Sequence, residues 1–180
     1  MISVHIRWMI SRDMPQVLAI EVSRFANPLT EREFSALLHE QQIIGMVAER
    51  GEEIVGFMIY RLCSGRLVLL QIAVREDLIL NGIGTQMVKK LRAKLSVGRR
   101  THVDIVSTGG RTHIDIDIRE TNLGGQLFLA SCGFKAIRID RKAFQDTEES
   151  SYHMVLRLFH DKNGTPEIIV DRNLRNDPNF

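Results

Sequence analysis

An apolar strand that runs into a glycine turn at the head of a helix constrains this chain more than any other stretch. Ile72-Ala73-Val74 ends the strand, residues 75–81 connect, and Gly82-Ile83-Gly84-Thr85 opens a helix whose inner face carries Met87, Val88, Leu91 and Leu95. The apolar period changes here from two to about 3.6, which predicts a strand followed directly by a helix. The first N–H groups of a helix have no partner within it, and the helix dipole adds partial positive charge at the same end. Several N–H groups aimed at one spot form an anion site that suits a pyrophosphate. Glycine at 82 and 84 keeps that spot open, because a Cβ there would hold phosphate oxygens away from the main chain. By itself a Gly-x-Gly of this kind is weak evidence, since an ordinary strand-to-helix turn looks the same.

The rest of the chain alternates in the same way. Ile2–Met9 reads as a first strand. Ser11 and Asp13, followed by Met14, Val17, Leu18 and Val22, read as a helix. Thr30-Glu31-Arg32-Glu33 is a capping box that starts a second helix, and Ile43–Glu49, Ile54–Leu62 and Leu67–Val74 form an antiparallel meander with turns at Gly51-Glu52 and Ser64-Gly65. Gly98 marks the end of the helix that begins at the glycine turn. A strand with Ile114, Ile116 and Ile118 on one face, a helix over Leu123–Cys132, and strands over Phe134–Ile139 and Tyr152–Phe159 complete the order β-α-α-β-β-β-α-β-α-β-β. Arg100–Ile105 is echoed by Arg111–Ile116 around Ser107-Thr108-Gly109-Gly110, a local duplication that reads as a looped-out hairpin.

At 180 residues, 44% hydrophobic and 26% charged, the chain suits one domain over 1–160 and a polar tail over 161–180, either mobile or an edge appendage. No apolar run reaches the roughly 18–20 residues that span a bilayer, and the N-terminal stretch lacks the features of a signal peptide, so no membrane role and a cytoplasmic location are expected. A formal net charge of +2 does not advertise nucleic-acid binding. The basic cluster from Lys89 to Arg100 reads chiefly as a solvated helix face, with some attraction for phosphates as the alternative. Cys63 and Cys132 have neither zinc-site spacing nor a disulfide-rich context, so thiols, mostly buried, and no metal are expected.

The second informative segment is Asp117-Ile118-Arg119-Glu120-Thr121-Asn122, then a helix, then Cys132-Gly133-Phe134. Together with the glycine turn it resembles the GCN5-related N-acetyltransferases, over about residues 5–158, and among them the branch that acetylates the N-terminal alanine of a ribosomal protein. The resemblance implies an α/β fold, a mixed, mostly antiparallel sheet flanked by helices, with a splayed central strand pair. It implies acetyl-coenzyme A held by Ile72, Ala73, Val74, Leu80, Asn81, Gly82, Ile83, Gly84, Thr85 and Asn122. It also implies a peptide-acceptor wall from Glu21, Phe25, Pro28 and Leu29, with Tyr152 able to reach the acceptor; packing of two helices is the alternative for the wall, and a half-buried strand residue for Tyr152. Leu29 stands where an aromatic residue is usual.

Acetyl transfer needs a neutral amine, a polarised thioester carbonyl and a departing sulfur. An α-amino group, with a pKa of about 7.7–8.0, needs only a modest base. The resemblance gives that role to Asp117, with Asp115 on the same face in reserve and a solvated or salt-bridged aspartate as the alternative; polarisation falls to a backbone N–H near Val74. The family's usual tyrosine acid is Leu129 here, Phe144 replaces a frequent tyrosine, and Ile79 replaces a Gln or Arg. His102, His113 and His153 match no family site and read as strand-surface or packing residues. Three functions follow: acetylation of a protein N-terminal α-amine, acetylation of a small amine, or an acyl-coenzyme A-binding module with little turnover. A homodimer is left open.

Overall fold

The computed structural model describes residues 1–95, 111–143, 148–160 and 166–168. The first copy of the repeat, Gly98, Arg99, Arg100, His102 and Phe144 lie outside them. The chain forms two compact units, Met1–Cys63 with Leu67–Lys94, and Ser64–Arg66 with Leu95–Phe180.

In the first unit β1 (His5–Trp8), β2 (Ile43–Arg50), β3 (Glu53–Cys63) and β4 (Arg66–Val74, its first residue belonging to the second unit) lie side by side in chain order. Helices α1 (Met14–Arg24), α2 (Glu31–His39) and α3 (Ile83–Arg92) accompany them. The β1–β2 and β2–β3 pairs are antiparallel, with Trp8 opposite Met46 and Val47 opposite Phe57. β3 is buried from Ile54 to Tyr60, so it shows a continuous apolar run instead of alternation. Val17 and Ile20 of α1 and Phe34 of α2 meet Val47, Phe57 and Ile59 in one core, where the Phe34 and Phe57 rings pack edge to face at 5.7 Å.

The capping box forms as predicted. Glu33 N–H donates to Thr30 Oγ1 at 3.3 Å, and Thr30 N–H donates to Glu33 Oε2 at 2.9 Å. α1 differs from expectation. Ser11–Asp13 is a short 3-10 turn, the helix proper begins at Met14 with Pro15 in its first turn, and Val22 is exposed while Ile20 and Glu21 are buried. Proline fits there because the N–H it lacks has no helical partner. Asp13 does not cap with its side chain, because its carboxylate is taken by Arg7 of β1 at 2.7 and 2.8 Å.

In the second unit β7 (Ser151–His160) lies between β5 (His113–Arg119) and β6 (Lys135–Asp140), antiparallel to both, and helix α4 (Leu123–Ser131) links β5 to β6. Gly125 lets α4 approach β5: a Cβ there would come within 2.6 Å of Ile118 Cδ1. The polar tail contributes a short strand, β8 (Pro166–Ile168), paired with the end of β7. Among the described residues the element order is the predicted one with β8 added, and the fold is mixed α/β, mostly antiparallel, with flanking helices. Neither cysteine forms a disulfide, and both are half-buried where deeper burial was expected.

Candidate active site

The glycine turn has the predicted form. Gly82 caps α3 at φ +80°, a left-handed conformation that favours glycine, and its carbonyl accepts the Gln86 N–H at 3.1 Å to close the first helical turn. The N–H groups of Ile83, Gly84 and Thr85 therefore lie ahead of the helical ladder. α3 has no acidic residue in its first turn, while Lys89, Lys90 and Arg92 sit in its last, where they complement the negative end of the dipole. The turn is braced by Ile2, whose N–H donates to the Asn81 carbonyl at 2.9 Å and whose carbonyl accepts Gln86 Nε2 at 2.6 Å. Ile83 is buried and anchors the helix, whereas Leu80, at φ +62°, and Thr85 are exposed. Of the residues that end β4, Ala73 is buried and Ile72 and Val74 are half-buried. With no acidic residue in that first turn, these N–H groups suit a pyrophosphate, while the Met1 side chain packs at Gly82, where a Cβ would come within 2.7 Å of its Cγ.

The predicted acceptor wall has a feature that sequence reasoning missed. Glu21 is fully buried; its Oε1 accepts the Leu29 N–H at 3.0 Å and Gln71 Nε2 at 3.1 Å. Its Oε2 and Gln71 Oε1 are buried, with no hydrogen-bond partner among the described residues. Burial pushes the Glu21 carboxyl up, against the smaller opposing pull of the Leu29 N–H and the Gln71 amide. Phe25 and Leu29 pack against the core, and Pro28 is exposed. An isolated glutamate between Ile20 and Val22 gives no sign of burial, because tertiary packing decides which helix face turns inward.

In the second unit the β5–β7 register sets Asp117 opposite His153, Asp115 opposite Val155 and His113 opposite Arg157. Cross-strand pairs share a face, so these side chains lie opposite Ile114, Ile116 and Ile118. Asp117 is exposed, with Oδ1 2.7 Å from His153 Nδ1. Asp115 is buried, with Arg66 NH1 3.2 Å from its Oδ2 and His113 Nε2 3.6 Å from its Oδ1. Desolvation holds the His113 imidazole below its ordinary pKa, more than Asp115 raises it.

Tyr152 pairs with Ile118 and so lies on the face opposite Asp117; the structure does not bring these two candidates together. Asn122 caps α4 through Oδ1, which accepts the Gly125 N–H at 2.9 Å, so its Nδ2 is the part of the side chain outside the cap. Leu129 is buried, and its carbonyl accepts the Phe134 N–H at 3.0 Å. Among the described residues no group of three His, Cys, Asp or Glu side chains is placed to hold a metal, and no helix is long and apolar enough to cross a membrane.

The model of the acetyltransferase (GNAT) family matches residues 14–134. No curated protein matches the sequence significantly. Among solved structures, the ribosomal-protein-S18-alanine N-acetyltransferase from Escherichia coli aligns with a TM-score of 0.67 at 19% identity, over 95% of this chain and 98% of its own. Ard1 from Thermoplasma volcanium aligns at 0.70 and 17% identity, over 88% of this chain and 100% of its own. An IAA acetyltransferase from Bacillus cereus aligns at 0.63 and 17%, over 87% and 100%. These likenesses concern the fold, whereas the family match runs from α1 through both informative segments to Gly133-Phe134. The chain belongs to the GNAT acetyltransferase family and is an acyl-coenzyme A N-acyltransferase.

Proposed function

We propose that the protein transfers the acetyl group of acetyl-coenzyme A to the α-amino group of a peptide N-terminus. The observation that carries this reading is the buried pair Glu21 and Gln71. It presents two acceptor oxygens without a partner among the described residues, and a buried acceptor left unmade is costly. An amine that reaches either oxygen supplies the missing N–H donor. The bond from Leu29 N–H to Glu21 ties the connection between α1 and α2 to the same carboxyl, so that segment forms a wall beside the amine-binding oxygens. The likeness to a ribosomal-protein-alanine N-acetyltransferase, noted above for the fold, supports the choice of an α-amine. On the coenzyme side, acetyl-coenzyme A supplies an activated thioester; the N–H groups of Ile83, Gly84 and Thr85 bind its pyrophosphate, and Asn122 Nδ2 adds a contact. Asp117 accepts the proton that the attacking amine must lose.

Glu21→Gln tests the acceptor reading. The variant keeps an acceptor for the Leu29 N–H and removes the charge. With a peptide acceptor, KM should rise by roughly tenfold, in line with a lost charge-assisted hydrogen bond. Affinity for acetyl-coenzyme A should stay unchanged. An unchanged peptide KM would remove Glu21 from acceptor binding.

A further inference from the structure

The face shared by β5, β6 and β7 holds more titratable groups than the proposed reaction uses, and they are arranged in a line. His153 lies between two carboxylates. Its Nδ1 is 2.7 Å from Asp117 Oδ1 and its Nε2 is 3.9 Å from Asp115 Oδ2. The side chains of Asp115, His153 and Asp117 are 4%, 15% and 55% exposed, so the ring links a buried acid to one that solvent reaches. Behind Asp115 stand Arg66 and His113. From β6, Arg138 lies across from His153 and forks onto Asp140 at 2.7 and 2.8 Å. Arg157 of β7 lies opposite His113. A histidine that only filled the strand surface would need one partner at most, whereas this ring faces a carboxylate with each nitrogen.

We propose that His153 is the positioning residue of Asp117: its Nδ1–H donates to Oδ1, fixes the carboxylate plane, and leaves Oδ2 as the oxygen that takes the proton from the acceptor amine. This rests on the reading of Asp117 as the base. The step balances as follows. The ammonium form of the acceptor gives one proton to Asp117 Oδ2, and the freed nitrogen lone pair forms the C–N bond to the thioester carbonyl carbon. The C–S bond breaks with its electron pair on sulfur, and the nitrogen's second proton ends on the thiol through solvent. Asp117, being exposed, returns its proton to water. No oxidant or reductant enters.

Three single variants and one double variant test the proposal, with release of coenzyme thiol as the rate and acetyl-coenzyme A affinity and thermal melting as controls. His153→Ala should lower kcat by roughly tenfold or more, as expected for loss of a hydrogen bond to a charged group, with coenzyme affinity unchanged. His153→Gln carries an N–H but never a charge, and should recover kcat to within about threefold of wild type. Rescue by a side chain that keeps only the N–H is a result that a merely structural histidine would not give. Asp117→Asn should lose activity by itself, and adding His153→Ala to it should cost nothing further. If Asp117→Asn loses activity while both His153 variants keep the wild-type rate, the present proposal falls and the base reading stands. If Asp117→Asn is as active as wild type, the base reading fails and takes the proposal with it. If the wild type releases no thiol with any peptide or amine, both fall. A loss in His153→Ala that Gln does not recover, with lowered melting, would make His153 structural and overturn the proposal.

Discussion

Glu21 is set by two opposing demands. Burial disfavours its charge, while the Leu29 N–H and the Gln71 amide favour it, and burial wins. A carboxyl raised in the folded state binds more protons there than in the unfolded chain, so its contribution to stability falls as pH rises from the unfolded value through the folded one. Glu21→Gln should therefore melt at or above the wild-type temperature near neutral pH, in contrast to the loss of acceptor binding proposed for it. At the same scale, Leu129 stands where the resemblance puts the family's acid, and its burial sets the cost of placing a tyrosine there. Its side chain is 1% exposed, so Leu129→Tyr forces a larger, polar group into filled space. That substitution should lower stability by about 1–3 kcal/mol, measured by denaturant unfolding, and should not raise turnover. A faster enzyme of unchanged stability would mean that the position opens onto the reacting sulfur.

Among the elements, the clasp between β1 and the start of α1 ties stability to pH. Arg7 reaches both oxygens of Asp13, the Ile10 N–H donates to Asp13 Oδ2 at 2.9 Å, and Glu49 of β2 holds the same guanidinium at 2.9 Å. The Arg7 guanidinium, with the Ile10 N–H behind it, holds the Asp13 carboxyl below the usual range despite burial. A depressed carboxyl contributes stability that is complete above its unfolded pKa, about 3.9, and lost as pH falls through the folded value. Asp13→Asn should cost about 2–3 kcal/mol at neutral pH. It should also flatten the acid limb of stability below about pH 4, as urea titrations at several pH values would show. The same clasp explains a difference between sequence and structure. The Thr30 capping box was legible because both partners lie within four residues of each other, but the start of α1 was not, because Asp13 answers to an arginine on another element.

For the chain as a whole, elements whose signal is local were readable: the glycine turn, the apolar face of α3, the alternation of Ile114, Ile116 and Ile118, and the meander over β2, β3 and β4. Partnerships made by folding were not. His153 and Asp117 are 36 residues apart in sequence, and only the β5–β7 register makes them neighbours. The burial of Glu21 and its contact with Gln71 likewise depend on which face of α1 meets the sheet. Those non-local contacts carry the proposed chemistry, while the family identity rests on the local ones. The central claim, that this acyltransferase acetylates α-amines, is tested most directly by mixing the protein with acetyl-coenzyme A and matched peptides whose N-termini are open or blocked, with small amines alongside. Thiol release is followed and the products are mapped by mass spectrometry. Thiol release is expected with open peptides, none with blocked ones, and an acetyl group on the α-nitrogen. Release driven by small amines or lysine side chains alone, or no release above background with any acceptor, would contradict it.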